Sequence, residues 1–71
     1  MAPIYEVDGN GNRLNNLGNN IQGVSGGRDF EVNFDEVGGG LFVFCGDKLL
    51  ASAERNKILV IDGVRYLGDW D

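Results

Sequence analysis

Asp29, Glu31 and Asp35 are the residues whose type and spacing come nearest to a catalytic arrangement. On an extended strand, side chains at i and i+2 lie roughly 7 Å apart, which is a separation that some glycosidases use between their two carboxyl groups. Acid–base chemistry also needs a cleft that drives the two pKa values apart, and a chain of 71 residues has little depth for one. These carboxylates, continued by Glu36, are therefore read as a solvated or partner-facing strip.

Other chemistries lack parts. Ser25, Ser52, Cys45 and two tyrosines are the candidate nucleophiles, and the chain has no His to activate them. Cys45 ends an apolar run, where a free thiol behaves as a small hydrophobe. One Cys forms no internal disulfide, and without His the usual zinc ligand sets are missing. The stretch from Asp8 to Asn12 opens like a calcium-binding EF-hand loop. The match fails at Arg13, where Gly is required, and at Asn19, where a bidentate Glu belongs, so a hairpin turn is expected instead. Gly26-Gly27 and Gly38-Gly39-Gly40 lack the Gly-Lys-Ser/Thr of a phosphate loop and read as flexible connections or bulge sites. No metal or cofactor is expected.

The elements that hold these residues are strands. From Arg28 to Val37, Phe30, Val32 and Phe34 alternate with Asp29, Glu31, Asn33 and Asp35, the period of a half-buried β-strand. Residues 3–7 form a short strand before the turn, and Arg13 and Leu14 begin its return arm. Leu41–Cys45 and Lys57–Ile61 are apolar on both faces and read as central strands covered on both sides. Lys48–Ala53 returns from a Gly46-Asp47 turn, and Asp62-Gly63 is a strong type I′ signal leading into Val64–Leu67. Residues 15–27 read as an Asn/Gly-rich loop that tucks Leu17, Ile21 and Val24 onto the core, with a short helix as the alternative. The expected fold is all-β: one domain over residues 1–71, a small antiparallel sheet of six or seven short strands, barrel-like or sandwich-like, with little or no helix.

Composition narrows the partners. Eleven acids against six bases give a net charge of −5, which disfavours direct binding to nucleic acid or to an anionic membrane. No apolar run is long enough for a membrane-spanning helix, and Met1-Ala2-Pro3 does not open a signal peptide, so synthesis in a cytoplasm is expected. No small-molecule substrate is evident.

A chain this short buries only about 60% of the surface its unfolded form exposes, which favours self-association. Lys48, Arg55 and Lys57 read as a basic group opposed to the acidic strand, and such a polarity suits head-to-tail contact between copies. The lone Trp70 is either a lid folded onto the core or a free aromatic anchor. The expected partner-binding residues are Asp29, Glu31, Asp35, Glu36, Tyr66 and Trp70. They would serve a non-enzymatic structural or assembly protein, a component of a viral or phage particle, bound to its own copies or to a larger scaffold. The alternative is a small acidic inhibitor whose carboxylates imitate phosphates.

Overall fold

The computed structural model describes residues 3–70, and the expectations about Met1, Ala2 and Asp71 lie outside the described residues. Eight strands form among them: β1 (Ile4–Val7), β2 (Arg13–Gly18), β3 (Asn20–Ser25), β4 (Arg28–Phe34), β5 (Leu41–Cys45), β6 (Lys48–Ala53), β7 (Ile58–Ile61) and β8 (Val64–Gly68). No helix among the described residues is long and apolar enough to cross a membrane. The strands make two antiparallel sheets, ordered β2-β1-β8-β7 and β3-β4-β5-β6. The chain is thus the expected small all-β antiparallel fold, with eight strands in two sheets where six or seven in one sheet were expected.

Turn chemistry fixes the hairpins. Asp62 and Gly63 both have positive φ (53° and 79°), the type I′ geometry expected of this pair. In the first hairpin, Asp8 accepts hydrogen bonds from the backbone N–H of Asn10 and of Asn12, each at 2.9 Å. Those bonds, the Asn12 N–H first, hold its carboxyl below the ordinary range. The EF-hand-like residues are spent on closing a turn.

Residues 15–27 correct the sequence reading. They are not a loop but most of β2, all of β3 and the Gly26-Gly27 turn. Poor intrinsic propensity is overridden by pairing: β3 runs alongside β4 from Asn20↔Asn33 to Ser25↔Arg28 without a register shift. Leu17 and Ile21 pack against the core as expected. Val24 stands opposite Asp29 and is exposed instead.

The core lies between the layers. Ile4 from one sheet meets Val32, Leu41 and Val43 from the other, with Phe30, Phe34, Leu59 and Ile61 packed around them. Each of these buried aliphatic side chains is worth roughly 1.5–3 kcal/mol. A second cluster, Tyr5, Val7 and Leu67, occupies the opposite face of β1 and β8. The two strands read as doubly covered are covered on one side only. In β5, Leu41 and Val43 are buried, while Phe42 and Phe44 point outward, half-exposed, with rings 6.4 Å apart. β7 is an edge strand rather than a central one.

The layers meet at one end of the sandwich, where glycine removes the side chains that would hold them apart. A methyl group on Gly68 would lie 2.9 Å from the Gly39 carbonyl oxygen, and one on Gly40 would run into the Ala53 carbonyl oxygen. The Asn56 N–H donates to the Gly68 carbonyl at 2.9 Å, and the Asp69 N–H donates to the Pro3 carbonyl at 3.1 Å. Gly39 and Gly40 are buried, so this cluster is a packed joint and not the flexible connection expected. Gly40→Ala is expected to destabilise the fold by about 1–3 kcal/mol, the usual range for overpacking. Urea denaturation checks this, and an unchanged midpoint would show that the joint does not need close backbone approach.

Candidate protein-binding site

The six residues expected to face a partner are spread over the molecule. Asp29 and Glu31 do share the outer face of β4, but that strand ends at Phe34. Asp35 lies beyond it, in the β4–β5 loop, where its carboxylate accepts the Val37 N–H at 2.9 Å and its carbonyl accepts the Gly39 N–H at 2.7 Å. Glu36 is exposed in the same loop. Glu31 is half-buried and accepts a hydrogen bond from Asn20 Nδ2 at 2.6 Å, and the same amide donates to Asn33 Oδ1. The strip of three carboxylates is therefore a pair, one member already bonded.

Tyr66 packs inward against the core. Burial pushes its hydroxyl pKa up, and the nearby charges of Glu6 and Asp62 add to the rise. Trp70 is folded back. Its ring stands edge-on to Phe34, with centroids 6.0 Å apart and planes at 85°, and it covers Gly39. The Arg55 guanidinium lies over the ring, 4.7 Å from its centroid. Asp69 anchors this tail by bridging Arg55 Nε at 2.6 Å and Arg13 Nη2 at 2.8 Å. Arg13 in turn lies 4.3 Å over the Tyr5 ring. The basic group also dissolves: Lys48 opens β6, whereas Arg55 and Lys57 lie past its other end and Arg55 is engaged with Asp69.

Sheet edges supply what the polar residues do not. Each sheet has two outer strands, β2 and β7 in one, β3 and β6 in the other. Outside the loops and the tail, the large apolar side chains left exposed all sit on these four strands. Four of them belong to β6 and β7, the edge strands that lie next to each other across the two sheets: Leu49 (52% exposed) and Leu50 (53%) on β6, Ile58 (44%) and Val60 (56%) on β7. A slot of about 350 Å³ opens between the two strands there. Leu50, Leu59 and Ile61 line it together with Phe30, Val43 and Cys45, and the charged Arg28, Asp29 and Asp62 border it as well. Cys45 is half-buried in this wall.

The edges differ in how they are guarded. β2 carries two bulges, at Leu14 and Leu17, and β6 carries one at Leu50. Bulges twist an edge away from further pairing. β3 is regular but presents Asn20, Gln22 and Gly23. β7 is regular, apolar at all four positions and bonded on one side only, to β8. Its outer residues Ile58 and Val60 continue the row that begins at Tyr5 and Leu67. β7 and the slot beside it form the candidate site. Sequence reading missed it because an apolar run looks the same on an edge strand as in a covered one. The signal available was the charge at its two ends, Lys57 and Asp62.

The tail anchor generates a pH prediction. Hydrogen bonds from Arg55, then Arg13, lower the Asp69 carboxyl below its ordinary value of 3.8. A carboxyl lowered on folding stabilises the fold fully above its unfolded value and loses that contribution as pH falls through the folded one. Asp69→Asn is therefore expected to melt below wild type at neutral pH, with the gap closing as pH drops below 3.8. Thermal melts across pH check this, and a gap that is constant with pH would assign the loss to something other than the charge.

Comparison with protein families, with curated proteins and with solved structures finds no match for this chain.

Proposed function

We propose that this is a non-enzymatic assembly protein that binds an extended segment of a protein partner by adding it to the sheet at β7. The observation that carries this reading is an unguarded strand edge beside an apolar slot, in a fold whose β2 and β6 edges are interrupted by bulges. Strand addition draws affinity from main-chain hydrogen bonds, while pockets for alternate side chains supply specificity. β7 offers the first along Ile58–Ile61, and the slot offers the second at Leu50 and Leu59.

The setting that fits is an assembly of many copies or a larger scaffold, of which a viral or phage particle is one instance. The small size and the acidic charge suit such a component, which is made in the cytoplasm and then incorporated. The inhibitor reading relies on the acidic face, and only Asp29 and Glu31 remain on it.

Selection of random peptides on the immobilised chain tests the proposal. Selected sequences are expected to be β-prone and alternately apolar. Their binding is expected to fall at least about tenfold, or 1.4 kcal/mol, with Val60→Lys and to be unchanged with Glu31→Gln. Salt-sensitive binders that ignore Val60→Lys and are lost with Asp29→Asn or Glu31→Gln would overturn it in favour of the inhibitor.

A further inference from the structure

We infer that the extended segment added at β7 is β7 of a second copy of this chain, which makes a two-fold dimer with one continuous sheet across both copies. The inference rests on the reading of β7 as a strand-addition site. Two features of the strand support a self-pair, and a third sets its strength.

Charge is the first. β7 runs from Lys57 at its start to Asp62 just past its end, with Ile58, Leu59, Val60 and Ile61 between them. Antiparallel to itself, such a strand brings the lysine end of each copy to the aspartate end of the other. A parallel pair would set like charges together. Lys57 and Asp62 are both exposed, and neither makes an ion pair with another described residue.

Register is the second. A two-fold axis normal to the sheet keeps each residue opposite one that points to the same face, so the pairing must centre on a residue. Centred on Leu59, it sets Ile58 opposite Val60 of the other copy on the outer face, twice, and Leu59 opposite Leu59 on the slot side. Centred on Val60, it would set Ile58 opposite Asp62. The Leu59 register opposes Ile58, Leu59 and Val60 to one another within the strand and sets Lys57 opposite Ile61, one residue from Asp62 of the other copy. The Val60 register instead sets Ile58 against a residue that has already turned out of the strand, at φ 53°.

Area is the third. A four-residue strand pair buries less than the roughly 1,200 Å² at the low end of stable interfaces. The dimer is therefore of the weak class and assembles as local concentration rises, as a component that associates on demand would.

Sedimentation of the full chain from about 10 µM to about 1 mM tests this, a range chosen to span weak association. Wild type is expected to pass from monomer to dimer. Val60→Lys, an exposed substitution that leaves the core intact, is expected to raise the dissociation constant at least tenfold, ~1.4 kcal/mol. Lys57→Glu is expected to weaken the dimer and to reduce its dependence on salt. Register is read by oxidising an equal mixture of Ile58→Cys and Val60→Cys chains, each carrying Cys45→Ala. Residues directly opposite fall within disulfide reach, so the mixed disulfide is expected to predominate over both self-disulfides. A wild-type monomer at the top concentration overturns the second copy as occupant, and peptide binding lost with Val60→Lys then leaves the site itself standing. A dimer indifferent to Val60→Lys, or a statistical mixture of disulfides, overturns the β7 pairing.

Discussion

The pairing of Ile4–Val7 with Val64–Gly68 joins the two ends of the chain in the middle of one sheet, and the remaining architecture depends on it. Among the described residues it is the only strand pairing that connects the β1–β2 hairpin to the β7–β8 hairpin. Through it, Ile4 reaches the core with no exposed surface, and Tyr5 and Leu67 meet across the ladder on the other face. The ends are held outside the ladder as well. Asp69 bonds Arg13, 56 residues away, and its backbone N–H reaches Pro3. Contacts of such sequence separation form late and cost loop entropy before they stabilise anything, so folding is expected to be slow for the chain's size.

Joining the termini in the centre leaves the edges to strands elsewhere. β2 and β7 flank one sheet, β3 and β6 the other, and the chain turns the corner between sheets at Gly18-Asn19 and again over residues 54–57. At the first corner, the Phe34 N–H donates to the Asn19 carbonyl and extends the β3–β4 ladder by one rung, up to the point where the chain changes sheet. At the second, Asn56 bonds Gly68, but beyond it β6 and β7 part and the slot opens. The sandwich is therefore tightly joined at one end and open at the β6–β7 seam. The backbones approach most closely at the joint of Gly39, Gly40 and Gly68, and recognition is proposed at the side where the layers separate.

The inner face of β4 was legible because alternation survives in Phe30, Val32 and Phe34, and Asp62-Gly63 was legible because its turn demands two positive φ values. Residues 15–25 were not legible. Their strand character comes from partners in β1 and β4, not from the Asn and Gly that compose them. Leu41–Cys45 and Ile58–Ile61 misled in a different way. An apolar outer face implies cover in a larger protein, whereas here Phe42 and Phe44 shelter each other and Ile58 and Val60 remain exposed. Candidate site residues were sought among carboxylates and aromatics, which carry chemistry that a sequence displays. The β7 site is made of unpaired backbone and ordinary aliphatic side chains, which only topology reveals. Trp70 was expected either as a lid or as an anchor, and Arg55, Asp69 and Phe34 hold it as a lid.

Everything functional in this account turns on β7 being open on the side away from β8. Residue-resolved amide hydrogen exchange on dilute protein tests that most directly. Within Ile58–Ile61, amides bonded to β8 should exchange slowly while those facing the seam exchange fast, in alternation, against uniform protection across the interior strand β5. Protection of every β7 amide to the level of β5 in the dilute monomer would mean that the seam is closed, and would contradict the account.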